Sequence, residues 1–88
     1  MFAKLYETHL GQILVKADAD EESKPEVRFY FKPENLGVCS MAVSFDDTDE
    51  GWDKQESFFN TMSQEKAVEV VNDVLSKLLH MTPSSGVV

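Results

Sequence analysis

The sequence predicts an α+β domain: a four-stranded antiparallel β-meander with one C-terminal amphipathic helix packed on one face, in the order ββββα. Three observations carry that expectation. EVRFYFKP puts Val27, Phe29 and Phe31 on one side and Arg28, Tyr30 and Lys32 on the other, the period of two of a half-buried strand. VCSMAVSF alternates again, with Cys39, Met41, Val43 and Phe45 facing one way and Ser40, Ala42 and Ser44 the other. From Gln64 to His80 the spacing changes to that of a helix: Ala67, Val68, Val71, Val74, Leu75, Leu78 and Leu79 form one apolar stripe.

In chain order, FAKLYETH alternates loosely and reads as the first strand. HLGQ supplies a turn, where Gly11 takes a positive φ at no steric cost. QILVKAD follows as the second strand, with Ile13, Val15 and Ala17 on one side and Leu14 and Lys16 on the other. The acidic run DADEESKPE is the next connection, ended by Pro25, and PENLG is the turn after the third strand. Short links between successive strands favour an antiparallel meander. Thr61 with Gln64 fits a capping box for the helix, and Ser63 is the alternative N-cap. Glu65 in the first turn and Lys77 and His80 in the last suit the helix dipole. Residues 1–81 thus read as one domain and residues 82–88 as a flexible tail.

A chain of 88 residues builds one modest core. With 42% hydrophobic and 27% charged residues, wholesale disorder is not expected. The single cysteine, Cys39, has no partner for an internal disulfide, which favours a reducing compartment. The opening MFAKLYETHLGQ lacks the apolar core of a signal peptide, and no apolar run approaches the ~20 residues of a membrane helix. The expected setting is cytoplasmic and soluble, without a membrane partner.

The net charge of −8 is concentrated in two segments. Residues 18–26 hold five acids against one lysine, net −4, and residues 46–56 hold six acids against one lysine, net −5. The second segment, DDTDEGWDKQE, invites comparison with an EF-hand loop. Setting Gly51 at the glycine position puts Ser57 where the bidentate glutamate belongs and the weak ligand Thr48 at the third position. A register starting at Asp18 has Ser23 for the glycine and Phe29 for the glutamate. No metal site is therefore expected.

Catalytic chemistry is equally unsupported. There is no GxSxG; Cys39 alternates with core residues, which suits a small hydrophobe better than a reactive thiolate. His9 sits in a turn and His80 at a helix end, with no zinc-ligand spacing. The isolated glycines make no phosphate-cradling loop. The carboxylates lie in wet loops rather than a cleft that would shift their pKa values. The expectation is a protein without enzymatic activity or cofactor.

What remains is binding. The connection between strands two and three and the segment leaving strand four emerge at the same end of a meander. Asp20, Glu21, Glu22, Asp46, Asp47, Asp49 and Glu50 would form one acidic rim. Such a rim speeds encounter with a basic protein surface, and a small acidic protein of this kind can imitate nucleic-acid phosphate. Trp52, in an aromatic group with Phe58, Phe59 and Met62, is the expected anchor; Phe58 and Met62 are expected to close the core, and DKQESFFNTM reads as a short helical turn or an irregular lid. The alternative is anion or single-stranded nucleic-acid binding on the open sheet face, where alternation places Lys16, Arg28, Tyr30 and Lys32, with Lys4 and Tyr6 beside them. A wet antiparallel face ordinarily carries such residues, and the net charge repels phosphate, so nucleic acid is the lesser expectation. A third reading is a homodimer formed through an uncovered sheet edge.

Overall fold

The computed structural model describes residues 2–33 and 37–86, from residue 78 onward through the backbone alone. Four strands, β1 (Phe2–Thr8), β2 (Gly11–Ala19), β3 (Pro25–Phe31) and β4 (Cys39–Ser44), precede two helices, α1 (Asp49–Asn60) and α2 (Gln64–Gly86). The sheet is antiparallel in the order β1-β2-β3-β4, so the α+β class and the meander stand. The single-helix count does not: residues 49–60 form a helix of their own, where a short turn or lid was expected.

The reason lies in what α1 buries. Its inward positions are Gly51, Gln55 and Phe59, spaced four apart, and only the last is strongly apolar. A search for an apolar stripe passes over such a helix. Its start is nevertheless well made. Thr48 is the N-cap, its Oγ1 accepting from Gly51 N at 3.0 Å, with Asp49 and Glu50 in the first turn. Lys54 and Glu50 pair at 3.3 Å one turn apart.

Each β-hairpin follows from local chemistry. Between β1 and β2, Gly11 takes φ +96°, while Thr8 Oγ1 accepts from Leu10 N at 3.0 Å and donates to Gly11 O at 2.7 Å. Between β2 and β3, the Asp20 carboxylate accepts from Glu22 N at 2.8 Å and Lys24 N at 2.9 Å, and Ser23 takes φ +66°. The turn expected at PENLG falls largely on residues 34–36, outside the described residues. Of the two caps considered for α2, Ser63 is the one in place, its Oγ accepting from Lys66 N at 3.2 Å. Thr61 instead closes α1, donating to Ser57 O at 2.8 Å. The second helix runs on past His80 through Pro83, which forgoes one backbone hydrogen bond, to Gly86, a residue suited to ending a helix. The side chains of Leu78, Leu79 and His80 and residues 87–88 of the expected tail lie outside the described residues.

The core sits between one face of the sheet and the two helices. Ile13, Val15, Val27 and Phe29 are fully buried, joined by Ala17, Phe31, Phe59, Met62, Ala67 and Val71. Helix α1 packs on β2 and β3, and α2 on β1, β2 and β3. Phe58 meets Phe29 edge-on at 6.4 Å and Phe45 at 5.9 Å. Cys39 is half-buried at one end of β4.

One expectation about faces is corrected by register. Lys4 pairs with Val15 and Tyr6 with Ile13, so both belong to the helix-covered face, not the open one. The β1 pattern is amphipathic in the reverse sense to its neighbours, with Leu5 exposed and Lys4 half-buried. Lys4 makes this work by lying over the Phe59 ring, its Nζ 4.7 Å from the centroid and donating to Phe59 O at 2.8 Å. Tyr6 donates to Met62 O at 3.1 Å, and burial raises its phenol above the ordinary value of 10.0.

A stability prediction follows. Below the ordinary phenol value, Tyr6 is neutral in both folded and unfolded chains. As pH climbs past it, the unfolded chain releases a proton that the folded chain keeps. Stability therefore falls with rising pH until the folded phenol also ionises. Tyr6→Phe should lose about 0.5–1.5 kcal/mol at neutral pH and decline less steeply above about pH 10. Urea titrations at pH 7 and pH 10.5 measure both; parallel alkaline declines in the two proteins would refute the assignment.

Candidate docking surface

Antiparallel pairing decides where the acidic segments meet. The end of β2 pairs with the start of β3 (Ala19 with Pro25), and the start of β3 with the end of β4 (Glu26 with Ser44). Phe45 N then donates to Pro25 O at 2.9 Å, carrying the contact into the segment before α1. The 18–26 and 46–56 segments thus leave the sheet at one end, together with the first turn of α1. Phe2, paired with Ala17 at the start of β1, lies at the same end.

The expected rim residues divide by role. Glu21, Asp46, Asp47 and Asp49 are exposed, as are Glu22, which pairs loosely with Lys24 at 3.6 Å, and Glu50, paired with Lys54. Such solvated pairs contribute little to stability, so these charges remain available to a partner. Asp20 differs: its carboxylate closes the β2–β3 turn. Asp49 and Glu50 stand on the first turn of α1, where the positive end of the helix dipole favours them. Their spacing is held by a helix rather than by a loop.

Trp52 also stands on α1. It is 37% exposed, and its Nε1 donates to Asp47 Oδ1 at 3.3 Å. The indole is thereby tied to the rim it was expected to anchor. Behind it is Gln55, which sequence reasoning missed. Only 7% exposed, Gln55 donates from one amide nitrogen to Asp18 O at 3.0 Å and Glu26 O at 2.9 Å. It joins α1 to the ends of β2 and β3 and so positions the rim. A glutamine inside an acidic, polar run gives no hint of burial.

On the uncovered sheet face the structure brings Lys16, Arg28 and Tyr30 together. Lys16 Nζ lies 5.8 Å from the Tyr30 ring, and Lys32 is exposed beyond the end of β3. Arg28, however, is paired with Glu26 at 3.0 Å, where the Glu26 side chain is only 10% exposed, and it also donates to Ser40 Oγ at 3.1 Å. Its charge is largely matched within the protein.

Among the described residues no group of three or more His, Cys, Asp or Glu side chains could hold a metal ion. No helix among them is long and apolar enough to cross a membrane. No protein-family model matches the sequence, and no curated protein or solved structure matches the chain. The site must be read from its own chemistry.

Proposed function

We propose that the chain is a small, non-catalytic protein-binding domain, adaptor-like or inhibitor-like, that engages a basic protein surface through Asp46, Asp47, Asp49 and Glu50, assisted by Glu21 and Glu22, with Trp52 as the anchor. The observation that carries this reading is the convergence of both acidic segments and the α1 N-terminus at one end of the sheet. Exposed carboxylates on a rigid turn, beside a half-exposed tryptophan, have the make-up of a steering surface with a hot spot. A sharper form is that the rim imitates nucleic-acid phosphate and occupies the basic groove of a nucleic-acid-binding protein; the concentrated charge supports it. A reducing, cytoplasmic setting belongs to the same reading, supported by the lone Cys39. Anion binding on the open sheet face has less support, since Arg28 already pairs with Glu26.

The test compares wild type with a variant carrying D46N, D47N, D49N and E50Q in pull-downs at low and high salt. A partner held by wild type should be lost by the variant. With that partner purified, association at low salt should slow by about tenfold or more, and the difference should shrink as salt is raised. Partners retained equally by both proteins would end the proposal.

A further inference from the structure

A cavity of about 410 Å³ opens between α1 and the ends of β1 and β2, at the same end of the domain as the acidic rim. Three aromatic rings line it, Phe2, Trp52 and Phe59, with the Glu56 carboxylate, the buried Gln55 and the backbone of Asp18, whose carbonyl meets Gln55 while its side chain shares the open sheet face with Lys16. Among the described residues no lysine or arginine lines it. On α1 the contributors recur at helical spacing, Trp52, Gln55 and Glu56, then Phe59, so one helix face supplies most of the wall.

We infer that this cavity receives an arginine side chain of the basic partner, the guanidinium stacking on Trp52 and Phe2 and donating to Glu56 and Gln55 Oε1. The inference rests on the proposed function and deepens it by naming the group recognised. The chemistry favours a cation: aromatic faces attract positive charge, and the exposed Glu56 carboxylate completes its coordination. Arginine fits better than lysine, because its planar, weakly hydrated fork both stacks on rings and donates to a carboxylate through two parallel bonds. The volume admits a guanidinium with its aliphatic stem. The protein itself demonstrates the contact: Lys4 already holds one face of Phe59 at 4.7 Å, which leaves Trp52 and Phe2 as the rings for the incoming group.

Three further features support a built site. Trp52 is held by its bond to Asp47, so little freedom is lost on binding. Phe2 is 69% exposed, a large ring whose aromatic neighbour among the described residues is Phe59, 6.3 Å away. Gln55 spends its amide nitrogen on the two strand carbonyls, and its Oε1, which accepts no hydrogen bond among the described residues, remains as an acceptor on the wall.

The experiment titrates the protein with a short blocked glycine–serine peptide carrying one arginine, beside the same peptide with lysine or with citrulline, the uncharged isostere. Trp52 emission and amide chemical shifts are followed. The arginine peptide should perturb Trp52 and amides around residues 17–18 and 52–60, the lysine peptide should bind more weakly, and citrulline should abolish the response. F2A with E56Q, both at exposed positions and both leaving the tryptophan reporter in place, should weaken arginine binding by about threefold to thirtyfold at an unchanged thermal midpoint. Equal responses to arginine and citrulline, shifts mapping elsewhere, or full affinity in the double variant would each overturn the inference. The four-acid variant keeps Phe2, Gln55 and Glu56 and so separates the two ideas. A basic partner lost there but retained by F2A/E56Q leaves the rim and overturns the cavity. Arginine-specific binding at the cavity, with no partner captured through the rim, upholds the cavity and overturns the rim.

Discussion

Replacing Gly51 by alanine is expected to destabilise the domain by about 3 kcal/mol, at the upper end of what overpacking costs. Gly51 is buried in the first turn of α1, and a methyl group there would overlap the carbonyl oxygen of Asp46 and lie 2.7 Å from its carbon. The obstacle is backbone, so no rotamer change relieves it. Nor is the Asp46 carbonyl free to swing away. It accepts from Thr48 N at 2.8 Å, and Thr48 in turn caps Gly51 N at 3.0 Å. Relief requires either displacing residues 45–48 or unwinding the first turn, and both routes disturb the rim. The intrinsic helix preference for alanine, about 1 kcal/mol, works against this loss and is already outweighed in the figure given. Denaturant unfolding measures the stability, and Trp52 emission should shift in the folded variant because the Asp47 contact sits on the displaced segment. Gly37→Ala is the control: among the described residues nothing lies within 4 Å of its added methyl, and the change should stay within about 0.5 kcal/mol. A Gly51→Ala protein as stable as the control would show that the 46–51 approach is not tight.

Phe29→Ala should cost about 3–5 kcal/mol. Phe29 is the largest fully buried side chain; it sits mid-sheet between Val15 and Met41, and Phe58 of α1 meets it edge-on. Truncation removes the contact that seats α1 on the sheet and leaves a cavity that β-strand neighbours cannot close. A domain of 88 residues commands only about 4–13 kcal/mol in all, so the variant should be partly unfolded at 37 °C. Phe29→Leu, which retains most of the apolar volume, should keep the fold with a smaller loss. Thermal and urea midpoints distinguish the two. A loss below about 1 kcal/mol in Phe29→Ala would mean that the helices do not depend on this face of the sheet, contrary to the packing described.

How much was legible in the sequence differs by element, for physical reasons. Strand β3 alternates strictly because one face is sealed and the other is wet, and a period of two records that directly. Helix α2 presents a continuous apolar stripe up to Leu75, and its period is equally plain. Strand β1 misled on the placement of Lys4 and Tyr6. Its inward positions carry long amphipathic side chains whose polar tips reach carbonyls of Phe59 and Met62, contacts more than 50 residues away that local patterning cannot register. Helix α1 misled for a related reason. It buries a glycine and a glutamine, chosen for close approach and for hydrogen bonding to strand ends, and neither reads as apolar.

The same division holds for the candidate site. The charge of residues 18–26 and 46–56, and the tryptophan among them, are properties of composition and needed no fold. That these segments share one end of the sheet follows from the meander, which short links already imply. Residue chemistry and spacing thus determined the α+β class, most of the core and the acidic character of one end, and favoured a meander whose strand order the structure then fixed. Only the tertiary structure decided that Asp49 and Glu50 stand on a helix held by Gly51 and Gln55, that Asp20 closes a turn, that Arg28 is paired with Glu26, and that Phe2, Trp52, Phe59 and Glu56 line one cavity. Periodicity reports which side of an element is dry. It carries no information on which distant backbone groups a polar side chain satisfies, and those long-range pairings are what shape the site.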